Sequence, residues 1–297
     1  MQIEYYEKAG KIAGEVREDV RNKNWVGHTV EEICQYVESE IIKKGAKCAF
    51  PVNTSINEIA AHYTAEPNDP KTISDTDLVK IDLGAQINGF IADTAVTVNY
   101  NPKYDALVQT AENALQVAMS MIKSGIKSKD VGRSIHKTIR DVGFKPIVNL
   151  SGHSLDQYTI HAGKTVPNTW TIGSFTFSEN EAFACEPFVT THEGLGYVRN
   201  GKIKNIFALV SRKKTKDEDA NKLLEYIWTN FNMLPFALRW ILKEWEEKEA
   251  RKLLEFLEKK KAVHSYPILV EANGEPVAQA EHTFIPTTTG VNITTMV

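Results

Sequence analysis

Two acidic side chains interrupt an otherwise apolar, β-rich stretch in the first third of the chain. Asp82 and Asp93 lie within residues 80–98, and Asn88-Gly89 lies midway between them. Asn-Gly between apolar residues predicts a β-hairpin, because a two-residue type I′ turn needs a positive φ at both central positions. The sequence therefore predicts that the two acids lie on the paired strands of one hairpin.

The pairing across this turn decides which side chains share a face. It places Gly84 opposite Asp93 and Asp82 opposite Ala95, so both acids lie on one face as diagonal neighbours, about 7–8 Å apart. Gly84 is expected to leave the space between them empty. Two carboxylates held this close repel each other unless a proton or a cation lies between them, which favours a metal ion. A solvated hairpin face with two unrelated acids is the alternative.

Three more side chains of metal-ligating type lie in segments with β character. His153 follows a glycine, which permits close approach to a ligand, and Glu186 and Glu281 lie among small and apolar neighbours. A charged residue in an apolar strand is rarely buried unless it is paired or bound to a metal. An exposed edge-strand glutamate is the alternative for Glu186, since Pro187 favours sheet edges. His62, next to a tyrosine, is by itself more typical of a core histidine.

The candidate ligands are four carboxylates and one imidazole: Asp82, Asp93, His153, Glu186 and Glu281. This set suits a pair of Mn, Fe, Co or Zn ions better than a thiolate-type structural site. Two ions about 3.5–4 Å apart lower the pKa of a shared water and polarise a carbonyl, which is the chemistry of hydrolysis. Spacing alone does not establish such a site, because the candidates are spread over most of the chain.

Helices and a second hairpin are expected to position these residues. Capping boxes predict helix starts at Thr29 and at Thr215. Asn273-Gly274 predicts another hairpin, with Glu281 in its outgoing strand. Apolar periodicity predicts the helices and one all-helical segment, over residues 3–23, 29–44, 102–123, 128–142 and 193–262.

Composition excludes several classes of protein. The chain has 297 residues, 42% of them apolar and 25% charged, and a net charge of −3, so charge gives no case for a nucleic-acid or membrane partner. The 3 cysteines are too few for a disulfide framework and fit a reducing compartment. The N-terminus lacks the features of a signal peptide, and no apolar run could span a membrane. We expect a cytoplasmic protein that works as a monomer.

Five motifs follow one another along the chain: K-I-D-L-G-A-Q-I-N-G-F-I-A-D-T-A, S-G-H-S-L, H-A-G-K-T-V-P, C-E-P-F and A-E-H-T-F. In order and spacing they resemble the type 2 methionine aminopeptidases, in the short form typical of archaea. The resemblance implies an α+β pita-bread fold, with two pseudo-symmetric halves around a curved antiparallel sheet. It assigns residues 1–192 and 263–297 to this catalytic domain. It assigns residues 193–262 to a helical, winged-helix-like insertion.

The resemblance also implies a role for each candidate ligand. Asp82 would chelate one divalent ion, and Asp93 and Glu281 would bridge two. His153 and Glu186 would complete the ligands of the other ion, and Glu186 would also transfer a proton.

The resemblance implies that the remaining site residues contact the substrate. His62 and His161 match the histidines that contact the scissile peptide, an electrostatic role of the oxyanion type. Phe50 and Tyr266 match positions of the methionine pocket. The implied reaction is the removal of an N-terminal methionine from peptides and nascent proteins, with a preference for a small second residue.

Three alternatives remain open from the sequence. The first is a non-catalytic relative with the same fold, although all five ligand positions are filled here. The second is a hydrolase of X-Pro dipeptides. In the third, the insertion binds RNA or transiently contacts the ribosome through its basic residues, for which solvated helix ends are the simpler explanation: Arg212, Lys213, Lys214, Lys259, Lys260 and Lys261.

Overall fold

The computed structural model describes residues 2–297 as an α+β arrangement of helices around short antiparallel sheets. The helices are α1 (Ile3–Arg21), α2 (Val30–Lys43), α3 (Asp105–Met121), α4 (Ser128–Asp141), α5 (Glu218–Phe231), α6 (Leu238–Ile241) and α7 (Glu247–Lys259), and a 3-10 turn (Pro102–Tyr104) precedes α3. The strands of the first half are β1 (Lys47–Cys48), β2 (Asn53–Ile56), β3 (Ile59–Ala61), β4 (Leu78–Ile87), β5 (Phe90–Asn99), β6 (Lys145–Pro146), β7 (Ser151–Leu155), β8 (Thr165–Pro167) and β9 (Ala182–Cys185). Those of the second half are β10 (Phe188–Thr190), β11 (Val198–Asn200), β12 (Ile206–Leu209), β13 (Phe236–Ala237), β14 (Val263–Tyr266), β15 (Leu269–Glu271), β16 (Val277–Gln279), β17 (His282–Pro286) and β18 (Val291–Ile293).

The β4–β5 hairpin forms the centre of the first half. Its strands pair from Leu78 opposite Asn99 to Ile87 opposite Phe90. Alternate residues of β4 face the core, where they pack with the apolar faces of α1 and α2. The other face of β4 carries Asp82. Helix packing therefore fixes which side of the hairpin presents the acid.

The second half repeats this layering. A five-stranded antiparallel sheet runs in the order β18-β17-β9-β7-β8. Helices α3 and α4 share an apolar core with it, in which the rings of Phe183 and Phe284 stack at 5.6 Å. Two halves that each place a helix pair outside antiparallel strands form the pita-bread fold predicted from the sequence.

The helical segment has a core of its own. Helices α5 and α7 pack on a small sheet in the order β13-β12-β14. The carboxylate of Glu38 in α2 links this segment to the first half, since it pairs with Arg239 at 2.9 Å and accepts a hydrogen bond from Trp240 Nε1 at 2.9 Å. The division at residues 192/193 and 262/263 stays a prediction.

The second predicted hairpin is wrong. Strand β15 pairs with β11 and β3, and β16 pairs with β10, so the segments around Asn273-Gly274 diverge. The Glu271 carboxylate accepts the N–H groups of Leu195, Gly196, Asn273 and Glu275, which organises this turn around a buried acid. Without the hairpin, the comparison of the helical segment with a winged helix lacks its wing.

One predicted helix cap is confirmed and one is wrong. Thr29 and Glu32 form the reciprocal capping box of α2. Helix α5 is capped by Asp217, which accepts from the Ala220 N–H at 2.9 Å. Thr215 lies before the helix, and its backbone N–H donates to Oδ1 of Asn221 within the helix. Asp217 displaces the threonine because it lies directly before the first helical residue.

Within residues 2–297, no helix combines the length and the apolar character needed to cross a membrane.

Candidate metal and peptide site

The central hairpin has the predicted register. Asp82 lies opposite Ala95 and Gly84 opposite Asp93. Asn88 and Gly89 form the turn with φ values of 52° and 86°. Asp93 is 3% exposed, so the alternative of a solvated face is wrong.

The space over Gly84 is occupied, contrary to the prediction that it would be empty. A Cβ atom built on Gly84 would lie 2.3 Å from Cε1 of Phe50, so the aromatic ring rests directly on this backbone position. The glycine therefore makes room for a ring of the cavity wall.

Histidine and glutamate side chains converge on the hairpin from distant strands. His153 Nε2, on β7, lies 3.7 Å from Asp93 Oδ2 and 3.6 Å from Glu186 Oε1. Ligand atoms of Asp93, His153 and Glu281 all lie within 4.8 Å of one another. Asp82 shares the cavity wall with them. The structure thus brings all the predicted ligands together.

Glu186 lies in a break between two strands. Its side chain is 13% exposed and faces His153, so the alternative of an exposed edge glutamate is wrong. Strand β9 ends at Cys185 and β10 begins at Phe188. Pro187 has no N–H to continue a ladder, and the interruption allows the glutamate to face the cavity.

His62 and His161 line the same cavity. His62 follows β3 with a φ of +64°, a conformation uncommon outside glycine, and its Nδ1 lies 3.2 Å from the carbonyl oxygen of Pro267. The ring of His161 lies 4.5 Å from that of His153. His161 lies in the loop between β7 and β8. Burial lowers the pKa of His62 to about 4 and also lowers the pKa of His161, so both imidazoles are neutral near pH 7.

The cavity has a volume of about 350 Å³, a size typical of small-ligand sites. Phe50 and Tyr266 contribute aromatic wall, as predicted from the sequence. Ile206 and Pro235 from the helical segment also line it. The helical segment therefore forms part of the cavity boundary.

The four buried acids hold their protons more tightly than free carboxylic acids do. Burial raises the pKa of Asp82 to about 7. Burial, and then the neighbouring carboxylates, raise the pKa values of Asp93, Glu186 and Glu281 well above the ordinary range. Lys164 also lines the cavity, but its ammonium group pairs with Glu181 at 2.6 Å.

Unpartnered polar atoms provide a test of whether a cation fits here. Asp82 Oδ1, Asp93 Oδ1 and His153 Nδ1 are buried without a hydrogen-bond partner. Buried polar atoms are normally satisfied, and buried acids are normally paired or bound to metal. Hard and borderline donors with free lone pairs, among carboxylates that repel one another, fit divalent cations.

Sequence reasoning missed Gln279. This residue is 1% exposed, and its Nε2 lies 3.3 Å from both Asp82 Oδ2 and Glu281 Oε2. Its amide group therefore donates to two of the predicted ligands. The signal was its position two residues before Glu281, where an extended chain places both side chains on one face.

Comparisons with known proteins identify the family of this chain. Residues 4–204 match the model of metallopeptidase family M24. The chain is 41% identical to a methionine aminopeptidase of Methanocaldococcus jannaschii, over 99% of this chain and 100% of the relative. A methionine aminopeptidase structure from Thermotoga maritima superposes with a TM-score of 0.71 at 23% identity, covering 100% and 97% of the two chains. The prolidase of Pyrococcus furiosus shares the fold alone, with a TM-score of 0.64 at 18% identity and coverage of 100% and 64%. The chain therefore belongs to metallopeptidase family M24 and, within it, to the methionine aminopeptidases.

Proposed function

We propose that this protein removes the N-terminal methionine from peptides and nascent proteins by hydrolysis at two divalent metal ions. The observation that carries the proposal is the convergence of Asp93, His153 and Glu281 within 4.8 Å, on the wall of a cavity that neutral histidines also line. The alternatives of an X-Pro hydrolase and of a non-catalytic relative are not favoured, because the relative at 41% identity is a methionine aminopeptidase.

The five acidic and histidine residues would hold the ions. In this proposal Asp82 would hold one ion, His153 and Glu186 would hold the other, and Asp93 and Glu281 would be shared by both. The ions are Mn, Fe, Co or Zn, which match a donor set of carboxylates and imidazole. When bound, such a pair lowers the pKa of a water and polarises a carbonyl group.

The side chains of the cavity supply the remaining chemistry. His161, held neutral by burial, would donate a hydrogen bond to the oxygen on which negative charge develops. His62 uses its single N–H on the Pro267 carbonyl, so its Nε2 would accept a hydrogen bond from the scissile peptide. Glu186 faces the cavity beside His153, where its carboxylate accepts a proton from the attacking water and returns it to the leaving amine. With these two proton transfers, cleavage of the peptide bond yields an uncharged amine and an uncharged carboxylic acid.

The cavity wall selects the substrate. Phe50 and Tyr266 form an apolar pocket for the methionine side chain. A small second residue should be preferred, because a bulky side chain would crowd the site. The free amino group of the substrate would bind one of the ions, which would restrict cleavage to the chain end.

The protein works as a monomer in this proposal, and a transient ribosome contact is not needed for the reaction. Two of the six candidate basic residues of the helical segment have acidic partners: Arg212 lies 3.5 Å from Glu225, and Lys259 lies 2.6 Å from Glu255. Paired charges at helix ends fit a solvated surface better than a nucleic-acid interface. Ribosome pelleting that is unchanged after neutralising residues 259–261 would agree with this assignment.

Peptide specificity tests the proposal. Protein stripped with a chelator and reloaded with Mn or Co is incubated with a Met-Gly-type peptide, its N-acetylated form and an X-Pro dipeptide. The proposal expects methionine release from the free peptide and none from the acetylated one. Release from X-Pro alone would favour the prolidase alternative. No hydrolysis with Mn or Co, or after repeating the reloading with Fe and Zn, would refute the enzyme assignment.

A further inference from the structure

The two segments that carry Asp93 and Glu281 meet without a regular ladder of backbone hydrogen bonds. Strand β5, with Asp93, pairs along its length with β4. Strand β17, which begins after Glu281, pairs with β9 and β18. Between the two segments, residues 2–297 show one isolated bridge, Ala95 opposite Glu281, with a long N–H to oxygen distance of 3.3 Å. Other groups must therefore hold these segments at a fixed separation.

Threonine hydroxyls take the place of the missing backbone bonds. Thr283 Oγ1 accepts from the Asp93 N–H at 2.7 Å and donates to the Asp93 carbonyl at 2.8 Å. Thr97 Oγ1 accepts from the Gln279 N–H at 2.9 Å and donates to the Gln279 carbonyl at 2.6 Å. Each hydroxyl thus satisfies both backbone groups of one residue on the facing segment.

The two threonines are related by symmetry about the bridge. Thr97 lies two residues after Ala95 and faces the residue two before Glu281. Thr283 lies two residues after Glu281 and faces the residue two before Ala95. The two segments are therefore in antiparallel register, and on each side of the bridge a threonine hydroxyl lies between the two backbones. Direct pairing holds strands about 4.7–4.9 Å apart, and an inserted hydroxyl requires a wider gap.

A third hydroxyl reinforces the centre. Thr94 Oγ1 donates to the Glu281 carbonyl at 2.7 Å and accepts from Arg17 Nη1 at 2.7 Å. The same Nη1 lies 2.9 Å from Nδ1 of His282. Arg17, on α1, is 4% exposed, and Thr94 is fully buried. One guanidinium therefore touches the residue after Asp93 and the residue after Glu281.

We propose that Thr94, Thr97 and Thr283, here called the threonine seam, are positioning residues that set the separation of the Asp93 and Glu281 carboxylates for metal binding. The inference rests on the proposed metal-dependent function. Across the two segments the seam hydroxyls bond only to backbone groups, and Thr94 also accepts from Arg17, so the seam acts through the ligands and touches neither metal nor substrate. Because the segments lack a ladder, loss of one hydroxyl lets the two carboxylates drift apart.

Isothermal titration of chelator-stripped protein with Mn²⁺ alone tests the seam. Thr283→Val keeps the branched shape and removes the hydroxyl, and it is expected to weaken Mn²⁺ binding about 10–100-fold. Thr283→Ser keeps the hydroxyl and is expected to bind Mn²⁺ with nearly wild-type affinity. If Thr283→Val does not fold, Thr97→Val carries the same test with the same expected direction.

Thr190→Val is the matched control. Thr190 is fully buried and does not line the cavity, and its hydroxyl donates to the Pro276 carbonyl at 2.9 Å. It is expected to lower the melting temperature as Thr283→Val does, without changing Mn²⁺ affinity. Wild-type affinity in Thr283→Val, or an equal loss in Thr190→Val, would overturn the role of the seam. Failure of the proposed function is a separate result, since wild-type protein would then bind Mn²⁺ without releasing methionine.

Discussion

The ring of Phe50 lies against the backbone of Gly84, between the two acids of the central hairpin. A Cβ atom at Gly84 would lie 2.3 Å from Phe50 Cε1 and 2.7 Å from Cδ1. Gly84 itself is the residue opposite Asp93. One contact therefore joins the wall of the proposed methionine pocket to the strand pair that presents the acids.

Gly84→Ala is expected to displace the Phe50 ring into the cavity. Overpacking a filled site costs about 1–3 kcal/mol in unfolding free energy. The narrowed pocket should raise KM for a Met-Gly-type peptide about tenfold, with a smaller change in kcat. Gly173→Ala is the matched control, because nothing lies within 4 Å of a Cβ built there. Unchanged KM in Gly84→Ala would show that Phe50 does not bound the methionine pocket.

Asp93→Asn should separate metal binding from stability. Losing a ligand between both ions removes several kcal/mol of charge stabilisation, so kcat should fall on the order of 10³-fold, with less metal bound per chain. The metal-free variant should melt at a higher temperature than metal-free wild type, because one repelling charge is gone from a buried cluster. Metal analysis and calorimetry measure both effects. A variant that retains both metals and full activity would refute the bridging role.

The burial of His62 should make the free energy of unfolding depend on pH. Burial lowers its pKa from 6.5 to about 4, so the unfolded chain binds the proton more readily than the folded one. The stability that depends on neutral His62 is complete above pH 6.5 and is lost as the pH falls towards 4. Relative to His62→Gln, metal-free wild type should lose up to about 1.4 kcal/mol per pH unit in this window. Parallel stability curves of the two proteins in urea would contradict this.

The ion pair of Glu38 and Arg239 should tie the helical segment to the first half. Both side chains are largely buried, and Arg239 donates to both carboxylate oxygens of Glu38. Arg239→Met leaves a buried charge without its partner and should cost about 3–5 kcal/mol. The double variant with Glu38→Leu should recover most of this loss in denaturant titrations. If the double variant were as unstable as the single one, the loss would not come from the unpaired charge.

Local sequence rules were sufficient where one turn decided the geometry. Asn88-Gly89 determined the register of the first hairpin, and the register placed Asp82 and Asp93 on one face. The same dipeptide failed at 273–274, because the Glu271 carboxylate organises that turn through long-range contacts with residues near 195. Nothing within a short window of sequence reports such contacts.

The acidic ligands could be found from the sequence, whereas the polar residues that hold them in place could not. The sequence indicated the acids because charge in apolar strands is conspicuous, and the resemblance assigned their roles. Gln279 and the threonine seam are ordinary polar residues in strands, and their importance depends on which segments meet in space. Phe50 was assigned to the pocket, but its contact with Gly84 depends on packing across two strands. Such relationships required the structure.

The dependence of methionine release on bound metal is the most direct test of the proposed two-metal hydrolysis. Chelator-stripped protein is titrated with Mn²⁺ while bound metal per chain and methionine release from a Met-Gly-type peptide are measured together. We predict no methionine release without metal, and activity that rises with the number of bound ions to a plateau at two ions per chain. Full activity in the stripped protein, or metal binding at this site without any methionine release, would contradict it.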